Sequence, residues 1–336
     1  MKAAVFTGLK KIEIREKDKP VPASGQAVIK VERCGICGSD MHGYTEGPQF
    51  DAYYQFGCVM GHEFSGTVEE LGQGVQGFAP GDRVVVLPMG WCGNCDFCLD
   101  NNQSNCACGP EWGIGSSLIN DGAFAEYILV KKPEQQLIKL PENVSFEAAA
   151  LVEPLTVGFH GVVASRFKPG DITTVIGAGP IGLGVIQSLK IGGAGKIIVL
   201  EISPERGEIA KKLGADAVIN AAVSGEEAAM AEYLGLTNGY GADIVYECSG
   251  ADWGFSNAQY LMKSGGQVII LGVIMHEVKI NPTIFLIKNT EMKGILCYAV
   301  SSFKKVVELL GQNRFDTAPM ISETISLEDI NDKESL

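Results

Sequence analysis

Two hydrophobic periods divide the chain, and the first one covers roughly residues 1–130. Here the apolar residues form short alternating or β-branched runs that glycine and proline separate, a pattern that predicts strands. The predicted strands are 3–6, 11–16, 26–33, 64–71, 83–87 and 122–130. Residues 43–58 between them are predicted as an aromatic-rich loop. Short strands with frequent glycines indicate a small β-rich barrel.

The second period begins near Ser145, which is predicted to cap a helix. Another helix is expected from about Pro154 to Ser165, and strands and helices then alternate. The predicted strands are 172–176, 196–201, 216–219, 243–247 and 267–271, and the predicted helices are 180–191, 204–213 and 303–310. This alternation predicts an α/β fold with a doubly wound parallel sheet.

Composition and charge narrow the class of protein. A length of 336 residues predicts two domains. The net charge of −13 argues against nucleic acid or an anionic membrane as a partner, and no apolar run is long enough for a membrane span. The ten cysteines come without a secretory signal pattern, so metal binding or catalysis and a cytoplasmic location are expected rather than disulfides.

The first chemical motif lies at residues 34–42, with sequence CGICGSDMH, and is followed by Gly-His62-Glu63. A thiol, an imidazole and a carboxylate are a ligand set suited to a catalytic zinc with an open position. The hydroxyl and the second imidazole of the motif can pass a proton to solvent. The alternatives are a buried structural cysteine and a redox dithiol formed by Cys34 and Cys37.

Glu153 is a further candidate, because it is a carboxylate among apolar neighbours. A buried acid needs a partner, and a metal centre would supply one. The alternative is an acid in the first turn of a helix, where the helix dipole favours it.

A second metal motif is the run Cys92-x2-Cys95-x2-Cys98-x7-Cys106, in a lobe at about residues 90–108. Four thiolates at short spacing favour a closed structural zinc site, with an iron–sulfur cluster as the competing interpretation. A nucleic-acid-binding finger is excluded by charge, because no Lys or Arg lies between the first and last of these cysteines. Cys108 is left over.

The third motif is Gly177-x-Gly179-x-x-Gly182, placed directly after a predicted strand and at the start of a helix. Glycines in this context allow the pyrophosphate of a dinucleotide to approach the helix N-terminus. Glu201 follows at the end of the next strand and is expected to accept hydrogen bonds from the adenosine ribose, which favours NAD over NADP. Arg206 could instead meet a phosphate or pair with an acid. The predicted cofactor-binding residues are Gly177, Gly179, Pro180, Ile181, Gly182, Glu201, Arg206, Cys248, Leu271, Gly272 and Val273.

Taken in order along the chain, these motifs, together with GAFAEY at 122–127 and VEPL at 152–155, resemble the zinc-dependent medium-chain dehydrogenases. The resemblance is greatest to the polyol branch, with its sorbitol, butanediol and threonine dehydrogenases. It implies a GroES-like catalytic domain at residues 1–155, a Rossmann domain at 156–298 and a C-terminal return to the catalytic domain at 299–336. It also implies a homodimer or homotetramer.

The resemblance assigns the site residues as follows. The ligands of the catalytic zinc would be Cys37, His62, Glu63 and Glu153, the last of them directly or through water, and those of the structural zinc Cys92, Cys95, Cys98 and Cys106. Ser39 and His42 would form the proton relay, and Glu63 could exchange with water. Each subunit would hold two zinc ions.

The expected function is hydride transfer between NAD and a secondary alcohol or ketone, on a small diol, polyol or hydroxy compound. Three alternatives stay open at this point. They are a binding protein of the same fold that has lost catalysis, an NADP-dependent alcohol dehydrogenase or carbonyl reductase, and a zinc-free quinone or enoyl reductase.

Overall fold

The computed structural model describes residues 1–49, 54–100, 102–115 and 120–331. The chain divides into two compact units. Unit 1 comprises Met1–Glu153, Ala299–Asn313 and Ile321–Leu336, and unit 2 comprises Pro154–Tyr298 and Arg314–Met320. The C-terminal segment 299–336 was expected to return to the catalytic domain as a whole, but residues 314–320 of it belong to unit 2.

Unit 1 is built on antiparallel strands. Its strands are β1 (Lys2–Gly8), β2 (Lys11–Glu16), β3 (Ala27–Gly35), β4 (Glu63–Leu71), β5 (Arg83–Val86), β6 (Tyr127–Val130) and β7 (Leu137–Lys139). The last five form one sheet in the order β6-β3-β4-β5-β7, and β1 pairs with β2. Its core is made of the inward β-branched and aromatic side chains of these strands, such as Ile29, Phe64 and Val84, as the alternating pattern predicts.

The strand predicted at 122–130 is shorter in the structure, because only its last four residues join the sheet as β6. Residues 122–124 instead donate backbone hydrogen bonds to the turn that precedes β4. Gly122 bonds to Val59, Ala123 to Gly61 and Phe124 to Met60, at 2.7–3.0 Å. This segment therefore supports the turn that carries the Gly-His-Glu motif.

Three short helices lie between the strands of unit 1, and a fourth follows the last strand: α1 (Gly38–Glu46), α2 (Asp96–Leu99), α3 (Pro133–Gln136) and α4 (Phe146–Ala150). Ser145 caps α4 as predicted, since its side chain accepts from the backbone N–H of Ala148. The prediction of a loop from residue 43 was wrong at its start, because α1 continues to Glu46. The ring of Tyr54 packs where a Cβ at Gly43 would lie, so this glycine belongs to a packed helix.

Unit 2 holds a six-stranded sheet whose neighbouring strands are all parallel. Its strands are β8 (Ile172–Ile176), β9 (Lys196–Leu200), β10 (Ala217–Ile219), β11 (Ala242–Glu247), β12 (Met262–Ile270) and β13 (Glu291–Gly294), in the order β10-β9-β8-β11-β12-β13. The order reverses between β8 and β11. In doubly wound sheets ligands bind at the carboxyl ends of the strands at such a point.

Helices connect these strands: α5 (Val152–Val163), α6 (Pro180–Gly192), α7 (Pro204–Leu213), α8 (Ala221–Ser224), α9 (Glu226–Leu236), α10 (Asp252–Leu261) and α11 (Pro282–Lys288). α12 (Val300–Gly311) returns to unit 1. Short 3-10 turns occur at Gly47–Gln49, Gln103–Asn105, Gly109–Glu111, Ala318–Met320 and Leu327–Asp329. No helix in the described part of the chain has the length and apolar character that a bilayer span needs.

Two residues of the segment Arg314–Met320 contact the buried side chain of Gln187 in unit 2. The Oε1 of Gln187, on α6, accepts a hydrogen bond from the backbone N–H of Asp316 at 2.7 Å. Its Nε2 lies 3.4 Å from the Sδ of Met320. The pattern of hydrophobic residues along the chain does not predict a contact of this kind, because it depends on one buried polar side chain.

Candidate active site and metal centres

Unit 1 brings the predicted thiol, imidazole and carboxylate together. Candidate ligand atoms of Cys37, His62 and Glu63 all lie within 4.8 Å of one another. Cys37 is the N-cap of α1, Glu63 is the first residue of β4, and His62 precedes it. The site is thus assembled where a helix begins beside a strand, from residues that are 25 positions apart in the sequence.

A buried carboxylate that the sequence analysis did not single out, Asp40, holds these two segments in place. One of its oxygens accepts from the backbone N–H of Cys37 at 3.1 Å, and the other accepts from that of Gly61 at 3.3 Å. The same second oxygen lies 3.7 Å from the Nδ1 of His62. A carboxylate behind a ligating imidazole fixes the orientation of the ring and raises its basicity. The available signal was Asp40 inside the CGICGSDMH motif.

The electrostatics of this site fit a divalent cation. Burial and then the charge of Glu153 raise the pKa of the Cys37 thiol to about 11. Burial and then the charge of Cys37 hold the pKa of Glu63 well above its usual range. Burial lowers the pKa of His62, but the nearby carboxylates, Asp40 first, outweigh it and raise that pKa overall. A thiol and a carboxyl group whose pKa values are raised in this way give up their protons to a cation placed among them, and zinc accepts this mixed donor set.

Glu153 lies in the first turn of α5 and is not part of the three-residue cluster. Its charge nevertheless raises the pKa of Cys37, His62 and Glu63. A carboxylate close enough to act on all three can serve as a further ligand or as an outer partner of the metal. The ligand role of Glu153 stays a prediction.

Ser39 and His42 share a face of α1, because they are three residues apart. The Ser39 hydroxyl and backbone N–H both donate hydrogen bonds to the sulfur of Cys37. The Nδ1 of His42 lies 3.2 Å from the Oε1 of Glu46, and its ring is partly exposed. Ser39 therefore lies beside Cys37 and His42 lies nearer to solvent, an arrangement compatible with the proton relay, which stays a prediction.

The four cysteines of the lobe form a compact cluster. The sulfur–sulfur distances are 3.9 Å for Cys92 and Cys98, 3.5 Å for Cys95 and Cys98, 3.9 Å for Cys95 and Cys106, and 3.6 Å for Cys92 and Cys106. A zinc tetrahedron with bonds of about 2.3 Å has edges of about 3.8 Å. The described thiols contain no disulfide. The lobe thus has the dimensions of a closed four-sulfur zinc site.

Backbone hydrogen bonds favour the thiolate form in this lobe. The N–H groups of Asn94 and Cys95 point at the sulfur of Cys92 and lower its pKa to about 6, against a smaller effect of burial. Burial raises the pKa of Cys98 to about 12. Because a metal ligand must be deprotonated, bound zinc would supply the charge that the Cys98 thiolate needs.

Unit 2 contains a cavity of about 480 Å³ at the carboxyl ends of β8, β9 and β11. It is lined by the residues Ile176, Gly177, Gly179, Leu200, Glu201, Ile202, Arg206, Ile219, Ala222, Glu226, Cys248, Ser249, Ala251, Trp253 and Gly254. Five of the predicted cofactor residues are among them. The cavity lies at the point where the strand order reverses, and its volume suits a small-molecule or cofactor site.

The glycine turn has the shape that a dinucleotide requires. Gly177 has φ of +88°, a left-handed conformation that favours glycine. A Cβ at Gly182 would collide with the carbonyl oxygen of Gly177, whereas a Cβ at Gly179 would meet no atom within 4 Å. The absence of a side chain at Gly182 lets helix α6 pack closely against the turn. The open space at Gly179 leaves room for a pyrophosphate at the N-terminus of α6.

The comparisons with known proteins identify the family. Residues 23–142 match the family model described as "Alcohol dehydrogenase GroES-like domain", and residues 180–312 match the one described as "Zinc-binding dehydrogenase". The chain belongs to the zinc-dependent medium-chain dehydrogenases. The predicted α/β fold, a GroES-like domain with a Rossmann domain, is confirmed.

Named relatives of this chain are dehydrogenases of alcohols and polyols. A sorbitol dehydrogenase of Bacillus subtilis is 33% identical over 333 residues, which are 99% of this chain and 92% of the relative. The (R,R)-butanediol dehydrogenase of the same organism is 36% identical over 338 residues, covering 98% of this chain and 94% of the relative. A Sinorhizobium meliloti protein solved with NADP bound has a TM-score of 0.89 at 30% identity, covering 100% of this chain and 95% of that one.

Within this dehydrogenase fold, the other predicted cofactor residues lie outside the lining of the cavity. Pro180 and Ile181 begin α6, and Leu271 is buried in the core of unit 2. The backbone N–H groups of Leu271 and Gly272 donate to the carbonyl oxygen of Glu247, at 2.8 and 3.0 Å. Val273 is partly exposed. Contacts between these residues and a cofactor stay a prediction.

Proposed function

We propose that this protein oxidises a secondary alcohol to a ketone with NAD, on a small diol, polyol or hydroxy compound. The observation that carries the proposal is the cluster of Cys37, His62 and the buried Glu63, one candidate ligand of each kind, beside the buried Asp40. A member of the fold without a metal-dependent reaction has no need of a thiol, an imidazole and two carboxyl groups gathered in one place. The cluster therefore argues against a protein that only binds its ligand and against a zinc-free reductase.

The residues of unit 1 would work as follows. Zinc held by Cys37, His62 and Glu63 would supply Lewis-acid stabilisation of the alcohol oxygen as it loses its proton. The Ser39 hydroxyl, beside the sulfur of Cys37, would accept that proton. His42, on the same face of α1 and partly exposed, would release it to solvent. The carboxylate of Glu46 would orient the imidazole of His42 by a hydrogen bond to its Nδ1.

We propose NAD rather than NADP from the charges in the cavity of unit 2. Two carboxylates, Glu201 and Glu226, line it together with one cation, Arg206. The Glu201 carboxylate is buried and accepts from the backbone N–H groups of Ala178 at 2.6 Å and Ser203 at 2.8 Å. It is therefore fixed in place, and a 2′-phosphate beside it would suffer repulsion in a partly desolvated site.

The test is a panel of alcohols, diols and polyols assayed with NAD and with NADP, together with zinc analysis of the purified protein. We expect two zinc ions per subunit, reduction of NAD by one or more vicinal diols or polyols, and kcat/KM at least about tenfold higher with NAD than with NADP. Preference for NADP would contradict the cofactor assignment. A zinc-loaded protein that is inactive on the whole panel would contradict the proposed reaction.

We also propose that the protein forms a homo-oligomer through the edge of its parallel sheet. β13 pairs with β12 and has no second strand beside it among the described residues. Close by in sequence, Leu286, Ile287 and Leu296 are each more than three-quarters exposed. An open strand edge near exposed apolar side chains is typical of a surface that a second copy covers.

A further inference from the structure

Two side chains that line the cavity of unit 2, Glu226 and Trp253, take no part in the proton transfer proposed above. Glu226 is the first residue of α9 and Trp253 is the second residue of α10. The indole Nε1 of Trp253 donates a hydrogen bond to the Oε1 of Glu226 at 3.0 Å. This contact joins two helices across the cavity lining, on the side that also includes Ala222.

The apolar surface at this place is left open to water. Ile202 is 72% exposed and Trp253 is 39% exposed, although both line the same cavity. A flat aromatic ligand would cover such surfaces, and stacking of a base on an aromatic side chain is favourable for every purine. Ile202 also directly follows Glu201, the predicted ribose-binding residue, so this surface lies on the adenosine side of the cavity.

The polar group at the same place distinguishes between purines. A carboxylate can only accept hydrogen bonds. Among the described residues, the only hydrogen bond that the Glu226 carboxylate accepts comes from the indole of Trp253. The second oxygen of Glu226 can therefore accept from an exocyclic amino group. A carbonyl oxygen in the same place would be repelled.

We propose that Trp253 covers one face of the cofactor base and that Glu226 accepts a hydrogen bond from the 6-amino group of adenine. The pair makes this cavity select adenine dinucleotides over those with a 6-oxo purine. The inference rests on the proposed function, since it requires a nicotinamide dinucleotide in this cavity. It adds a specificity-determining pair that acts on the base and not on the ribose.

The deciding experiment compares two ligands by calorimetry on the full-length, zinc-loaded protein. One ligand is NADH, and the other is reduced nicotinamide hypoxanthine dinucleotide, in which a carbonyl replaces the 6-amino group. We expect the wild-type protein to bind NADH about tenfold more tightly. In Glu226→Gln the single amide oxygen stays with the indole N–H of Trp253 and the NH2 group faces the base, so the preference for NADH should be lost or reversed.

The matched control is Glu227→Gln, which removes the same charge one position further along α9, at a residue outside the cavity lining. It should keep the wild-type preference for NADH. Trp253→Ala should weaken the binding of both dinucleotides by about 5- to 100-fold, and the ratio of their two Kd values should not shift in favour of the hypoxanthine form. It should also abolish most of the change in tryptophan fluorescence that the cofactor causes.

The outcomes separate this inference from the proposed function. If wild type and Glu226→Gln bind both dinucleotides with the same ratio, the role of Glu226 is wrong while NAD binding stands. If Trp253→Ala binds NADH as tightly as wild type, the stacking role is wrong. If the wild-type protein binds no NADH at all, the proposed function fails and this inference fails with it.

Discussion

At the scale of single residues, Asp40 connects the folding of unit 1 to its chemistry. Its side chain is almost fully buried, and it accepts from the backbone N–H groups of Cys37 and Gly61 while facing His62. Desolvation raises the pKa of this carboxyl, against the opposing influence of His62 and the two backbone donors. A buried acid that keeps such partners is there to orient ligands.

Asp40→Asn should therefore lower zinc affinity at the catalytic centre by about 10- to 100-fold. The amide has one acceptor oxygen, so its NH2 group would face one of the two backbone donors, and the charge behind His62 would be lost. After dialysis against a weak chelator, metal analysis should find about one zinc per subunit. Asp18→Asn, a change at an exposed carboxylate of the same unit, should keep two, and equal zinc retention in both variants would contradict the positioning role of Asp40.

Glu201→Ser should raise kcat/KM for NADP relative to NAD by about 10- to 1000-fold, because it removes the charge beside the ribose. The substitution should also lower the free energy of unfolding by about 1–3 kcal/mol, since the backbone N–H groups of Ala178 and Ser203 lose their acceptor. Thermal unfolding and paired kinetics measure the two effects. In Glu201→Ser/Arg206→Ala the gain for NADP should shrink, and an unmoved cofactor ratio in the single variant would contradict the assignment of Glu201.

At the scale of elements, the cysteine lobe gains its order from four sulfur atoms, since its helix α2 has only four residues. Cys98→Ser should release one zinc per subunit and lower the melting temperature, because the closed site loses a ligand. Cys108→Ser is the matched control in the same lobe, outside the four-sulfur cluster. It should keep two zinc ions; a Cys98→Ser protein that keeps both metals and its melting temperature would disprove the lobe assignment.

The glycine turn between β8 and α6 gives a second test at this scale. Gly182→Ala places a methyl group against the carbonyl oxygen of Gly177 and should destabilise the protein without cofactor by about 1–3 kcal/mol. Gly179→Ala meets open space, so its stability should stay within about 1 kcal/mol of wild type. Its NADH affinity should nevertheless fall at least about tenfold, because the methyl group fills room for the pyrophosphate. Unchanged NADH binding by Gly179→Ala would place the dinucleotide elsewhere.

At the scale of the whole molecule, the exposed sheet edge predicts how copies assemble. Leu286 is 82% exposed, and Leu286→Asp should convert the oligomer to smaller species by placing a charge in an apolar interface. Val223→Asp is the control, since Val223 is equally exposed on another element of unit 2. Sedimentation equilibrium measures the mass of each. If Leu286→Asp leaves the mass of the assembly unchanged, the interface does not include α11.

The sequence by itself determined the two hydrophobic periods, and through them the strands of both units and the parallel sheet. It also determined the motifs of Cys37, His62 and the glycine turn, because local spacing specifies a metal ligand set or a tight turn without knowledge of distant contacts. α1 was missed, because a segment rich in glycine and polar residues has little helical period. Only the tertiary structure revealed that Asp40 accepts a hydrogen bond from Gly61, 21 residues further along the chain, and that Trp253 contacts Glu226 on another helix. Such pairs depend on how helices and loops pack on the sheets, and no periodicity along the chain encodes that packing.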